Sequence, residues 1–164
     1  MNGIQALQSA LETTKGYVGW YVGDFSDADL LVRPVANANH AAWQIGNIIV
    51  GDIFLVQAEI PDANFPELPA GFMKQHGKEG STDDDASHFM SKAEYLKLFD
   101  AVRGATIAAL LKLSDADLDR PCSEKMKAFA PNFGKLFQAC SDHTLMHLGQ
   151  VSCIRRKLGK PVLF

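Results

Sequence analysis

The sequence predicts an all-α protein, a four-helix bundle, and three observations carry that prediction. Four stretches repeat apolar residues at three- and four-residue steps, the spacing of one helical face. Recognisable start and stop signals bound most of those stretches. The connections run short, long, short, so the helices form two pairs joined by a long crossover between the second and third. At 164 residues the chain suits one domain, taken as 1–164, with enough length to bury a substantial core.

The first helix is expected over Ile4 to Tyr21, where Ile4, Leu7, Leu11, Thr14, Val18 and Tyr21 recur at helical steps. Gly16, Gly19 and Gly23 weaken its far end. The second runs from Asn39 to Glu59, with Asn37 or Asn39 as its N-cap and Pro61 as its stop. One stripe of it holds His40, Trp43, Asn47, Val50, Phe54 and Ala58; the opposite side holds Ile45, Ile49, Ile53 and Val56. A helix apolar on both sides is buried on both sides. In a protein this small, a second subunit could cover the isoleucine row, so a homodimer is expected.

Pro61 to Phe89 reads as a long irregular segment that crosses the bundle or lies over a site. His76 and His88 fall in it and are expected to be solvated. Ser91 and Glu94 form a capping box for the third helix, which carries Tyr95, Leu98, Val102, Ile107, Leu110 and Leu111 and stops near Leu113. Ser114-Asp115-Ala116-Asp117-Leu118 with Arg120-Pro121 then echoes Ser26 to Leu30 with Arg33-Pro34. The echo admits two readings: local cap chemistry, or two similar helix pairs.

Leu136 to Leu158 is the last helix, ended by Gly159 and Pro161. At about 100° per residue, Leu136, Cys140, His143, His147, Val151, Ile154 and Leu158 share one stripe roughly 80° wide. Ser141, Ser152, Arg155 and Arg156 lie on the other side. His143 and His147 sit one turn apart in that inward stripe, a spacing that lets two imidazoles share one metal ion. The bland alternative is two unrelated core histidines, each hydrogen-bonded locally. Asn47 is likewise either a core amide satisfied by backbone or water, or part of a polar site facing the last helix.

The totals exclude several classes. A net charge of −3 gives no basic footprint for nucleic acid. No run of about 18 apolar residues offers a membrane span, and no charged-then-apolar signal segment opens the chain. Cys122, Cys140 and Cys153 are odd in number and lack C-x-x-C spacing, as expected of reduced thiols in a cytoplasmic protein.

Taken in order, three passages resemble the DinB-like superfamily, also called YfiT-like metal-dependent hydrolases. They are Trp43-Gln44-Ile45-Gly46, the stretch Ser91 to Leu113 with its Ser-Asp-Ala-Asp-Leu-Asp-Arg-Pro sequel, and His143 to Gln150 with Arg155-Arg156 and Leu158-Gly159. The resemblance spans nearly the whole chain. It implies an up-down-down-up bundle, frequently dimeric, holding a divalent metal such as zinc or nickel on three histidines. Two of them match His143 and His147; the third follows the W-x-x-G stretch, where this chain has Asn47. An amide oxygen is a weaker and harder ligand than imidazole. Cys140 is a substitute ligand or a small core hydrophobe. His40, about 10 Å from Asn47 along the helix axis, is a poor stand-in. His40, Trp43, Cys140 and Gln150 are expected to line the cavity.

Two functions follow from the resemblance. In the first, the chain is a metal-dependent enzyme acting on a small-molecule substrate, either a transferase using a low-molecular-weight thiol or a hydrolase. His143, His147 and Asn47 are its ligand set and Gln150 a supporting contact. In the second, the chain is a non-catalytic dimeric bundle that has lost its metal and binds a small ligand or nothing.

Overall fold

The computed structural model describes residues 1–163, and its first helix begins at a capping box. Asn2 accepts from the Gln5 amide while the Gln5 side chain accepts from Asn2 N–H, which satisfies two orphan donors and starts α1 at Gly3–Val22. The glycines do not shorten it. Helix α2 spans Ala41–Glu59, and its N-cap is His40 rather than either expected asparagine. His40 Nδ1 accepts from Trp43 N–H at 3.1 Å, doing the work a serine or asparagine usually does. Asn37 instead takes a left-handed turn conformation.

Helix α4, Lys92–Leu110, begins at the expected Ser91–Glu94 capping box. Helix α5, Phe133–Lys157, starts three residues earlier than expected because Asn132 caps it through Lys135 N–H. It ends as the sequence indicates. Gly159 has φ +68°, and the amides of Gly159 and Lys160 close back on Arg156 and Arg155.

The structure is all-α: among the described residues there is no strand, only an isolated bridge between Pro121 and Asn132. Helix α2 packs on α4 and α5, and α1 packs on α5 and α4. The long segment between α2 and α4 is less irregular than its composition suggests. It holds a one-turn helix α3, Phe72–Gln75, and 3-10 turns at Lys78–Thr82 and Ala86–His88. Arg33 fastens it, donating to Asp84 at 2.6 Å and to the carbonyls of Ser81 and Asp83.

The Ser-Asp echo is local chemistry. Ser26 and Asp29 bond reciprocally, Ser114 and Asp117 do the same, and each pair opens a 3-10 turn. The arginines then diverge: Arg33 binds the crossover, whereas Arg120 stacks 4.0 Å over the Phe133 ring.

The isoleucine row is covered within the chain. Ile45, Ile49, Ile53 and Val56 are at most 7% exposed, so this row offers no open face to a second subunit. The homodimer expectation therefore loses its structural motive. The other stripe turns outward along α2: Trp43 is buried, Asn47 and Val50 half-buried, Phe54 and Ala58 exposed. Helix α2 has the length and apolarity of a membrane span, but 67% of that window is buried inside the chain, as in a core helix.

A polar layer divides the core. On α1, Thr14 separates Leu11 from Val18; on α2, Asp52 lies between Ile49 and Val56. Arg103 and Thr106 of α4 and Thr144 of α5 complete the level. Arg103 forms a bidentate pair with Asp52 at 2.7 and 3.1 Å and donates to Thr14 at 2.8 Å and Thr144 at 2.7 Å. Its remaining donors reach the Leu11 and Cys140 carbonyls. Burial pushes the Asp52 carboxyl above its usual range, and Arg103 and Thr106 oppose that push. All four long helices thus meet at one guanidinium.

Candidate functional site

Helix α5 carries the site. The i, i+4 spacing brings His143 Nε2 to 2.9 Å from His147 Nε2, with the two rings at 88°. His147 is buried and His143 half-buried. Both rings rest on α2, and two of its residues explain how. Gly51 leaves room for His143: a Cβ there would lie 2.6 Å from the ring. Gln44 meets His147, its Oε1 lying within hydrogen-bond contact of the ring's Nδ1. Gln44 Nε2 donates in turn to Gln150 Oε1 at 2.9 Å and to the Asn39 carbonyl at 3.3 Å.

Burial first, and the neighbouring His143 second, together push His147 down to about 3. Burial also lowers His143, Asp52 pulling it back up and Arg103 pushing it down. Both imidazoles are therefore neutral near pH 7, the state in which imidazole ligates. His143 Nδ1 is buried without a hydrogen-bond partner.

The other expected site residues divide. Gln150 joins the cluster through Gln44. Trp43 stands 6.1 Å from His147, ring centre to ring centre, and is anchored by donation to the Gly77 carbonyl at 3.0 Å. Asn47 donates to the His76 carbonyl at 2.7 Å, so its nitrogen holds the crossover segment. His40 caps α2 and its other nitrogen meets the Asp83 carbonyl at 3.1 Å, so both ring nitrogens are occupied. Cys140 is fully buried in the apolar cluster with Leu136 and Phe137, and burial raises its thiol well above the usual range. It packs as a core hydrophobe. Ser141 and Arg155, expected to face out, are buried as well. Arg155 pairs with Asp24 at 2.6 Å and stacks over Phe25.

His76 corrects another expectation. It is buried rather than solvated, and its ring occupies the notch at Gly46, where a Cβ would fall 1.9 Å from it. His76 Nδ1–H donates to Phe72 O at 2.9 Å, and Nε2 accepts from Tyr95 OH at 2.7 Å. His88, by contrast, is exposed as expected and pairs with Asp83 at 2.8 Å.

Sequence reasoning missed Gln44, Gly51, Asp52 and Arg103, and it placed His76 in solvent. Signals existed for part of this set. Gly46 and Gly51 interrupt a helix that needs neither for a turn, and Asp52 is the only charged residue between His40 and Glu59.

Two neutral imidazole nitrogens 2.9 Å apart fit a shared divalent ion, since metal–nitrogen distances are about 2.0–2.1 Å. Gln44 supplies the outer contact that ligating histidines usually have. Among the described residues no third His, Cys, Asp or Glu joins the pair. Residues 10–151 match the sequence model of the DinB superfamily. The chain belongs to the DinB superfamily. No curated protein and no solved structure gives a significant match. In this DinB-superfamily chain the histidine pair thus sits within the matched segment, as do the α2 residues that brace it.

Proposed function

We propose that this DinB-superfamily chain is a metal-dependent enzyme acting on a small molecule, with His143 and His147 as the principal ligands. The observation that carries the reading is the convergence of two neutral Nε2 atoms at 2.9 Å, one braced from behind by Gln44. The Asn47 amide oxygen is the third donor in this proposal, because its nitrogen is already committed to His76. Zinc or nickel, when bound, would supply the positive charge that lowers the pKa of a low-molecular-weight thiol or a water. Thiol-dependent S-transfer and hydrolysis are the two reaction classes this chemistry serves. Gln150, exposed and bonded to Gln44, is the chain's contact for the incoming molecule. All three cysteines are free thiols, which suits a reducing cytoplasmic setting.

A second reading, a non-catalytic bundle, is favoured by one fact: no acidic, thiol or imidazole group completes the pair among the described residues. Metal analysis of untagged protein, followed by calorimetric titration of the apo form with zinc and nickel, separates the two. Near-stoichiometric binding that His147→Ala abolishes supports the enzyme. Wild-type protein that ignores added metal overturns it.

A further inference from the structure

We infer that Gln44 is a positioning residue: it fixes the tautomer of His147 and so decides which ring nitrogen is free to ligate. The inference builds on the metal-site reading but makes a separate claim about the metal-free protein. Gln44 is fully buried, so its amide orientation is set by its partners and not by water. The Asn39 carbonyl can only accept, so the atom facing it must be the amide nitrogen. That nitrogen also donates to Gln150. The amide oxygen is thereby turned toward His147 Nδ1.

An amide oxygen cannot donate, so His147 Nδ1 must carry the proton. A neutral imidazole has one N–H, which leaves His147 Nε2 bare. The 2.9 Å contact between the two Nε2 atoms then needs a proton from the other ring, so His143 carries its hydrogen on Nε2. His143 Nδ1 is left bare, and it is the nitrogen found buried without a partner. One hydrogen-bond chain therefore accounts for both the short contact and the orphan atom.

The pair is consequently unequal. His147 already presents its lone pair, whereas His143 must move its proton from Nε2 to Nδ1 before it can ligate through Nε2. Gln44 prepares one ligand in advance and leaves the other to be converted by the ion.

Long-range proton–nitrogen NMR on full-length, metal-free protein labelled at histidine reads each ring's tautomer directly. Wild type should show His147 protonated at Nδ1 and His143 at Nε2. Gln44→Leu should leave His147 without a single preferred tautomer and weaken zinc binding about 10–100-fold, the usual effect of losing an outer contact. Gln44→Glu keeps an acceptor at the same place, so it should retain the wild-type His147 tautomer. Protonation of wild-type His147 at Nε2, or an unchanged tautomer in Gln44→Leu, overturns the inference. A scrambled tautomer in Gln44→Glu does the same. The wild-type spectrum needs no variant, so a Gln44→Leu protein that fails to fold leaves the central claim testable. Expected tautomers in a protein that binds no zinc would sink the metal-site reading and leave Gln44's role standing. Zinc binding with the opposite tautomers would do the reverse.

Discussion

Two polar layers lie within one small bundle, and they are finished differently. The Arg103–Asp52 layer draws partners from α1, α2, α4 and α5, and the guanidinium's donors all have acceptors. The histidine layer involves α2 and α5, and it keeps a bare, buried Nδ1 on His143. A saturated buried network holds helices in register and offers nothing to a ligand. An unsaturated one stays in a folded protein only where its cost, about 1–3 kcal/mol per orphaned group, is offset elsewhere. The contrast assigns architecture to the first layer and leaves the second as the place where the proposed metal site would sit.

The largest test breaks the first layer. Arg103→Met leaves Asp52 buried without its partner and should cost about 3–5 kcal/mol in chemical denaturation. Arg103→Met with Asp52→Leu should recover most of that loss, because apolar replacement of both partners is often neutral or better. If the double variant stays as unstable as the single one, the layer does more than pair two charges. Metal binding by the refolded double variant should persist, which keeps the two layers distinct.

The difference in legibility has the same origin. The Ser91–Glu94 capping box and the terminal Gly159 were readable because their chemistry is confined to a few neighbouring residues. The histidine pair was readable because helical periodicity alone puts residues four apart on one face. Arg103 pairs with a residue 51 positions away, and periodicity carries no information about which helix faces which. The isoleucine row misled for that reason: α4 and α5 both cover α2, so a helix apolar on two sides needed no second subunit. His76 was unreadable because its burial depends on a notch that another segment supplies at Gly46.

His76 also sharpens the comparison through pH. Burial holds it down at about 4, below the ordinary value of 6.5, against the opposing pull of the Phe72 carbonyl. The unfolded chain therefore takes up this proton first as the solution is acidified. Its contribution is complete above pH 6.5 and is lost as pH falls toward 4, amounting to up to about 3 kcal/mol. Protonation would also turn Nε2 into a donor facing Tyr95 OH, the group that now donates to it. Denaturation midpoints between pH 7.5 and 4.5 should fall accordingly, and His76→Phe, which keeps a ring in the Gly46 notch, should flatten the slope. An unaltered slope would assign the acid sensitivity to other groups, His147 first among them.

The smallest expected effect tests what the histidine layer lacks. Asn47 lies within about 60° of Gln44 and Gly51 around α2, and those two residues touch the imidazole pair. Its amide holds the crossover through the His76 carbonyl, a contact worth about 1 kcal/mol that an imidazole could replace with one of its own N–H groups. Asn47→His exchanges a hard amide oxygen for an imidazole, the donor that zinc and nickel prefer. Zinc affinity should therefore tighten by at least the 10–100-fold typical of an outer contact, read by calorimetry against wild type. The folded stability of the apo protein should change little, because the saturated layer around Arg103 is untouched. Tighter binding would mark the histidine layer as a metal centre short of one good ligand. Unchanged affinity would place position 47 outside the ligand shell and leave the metal, if bound, to His143 and His147 alone.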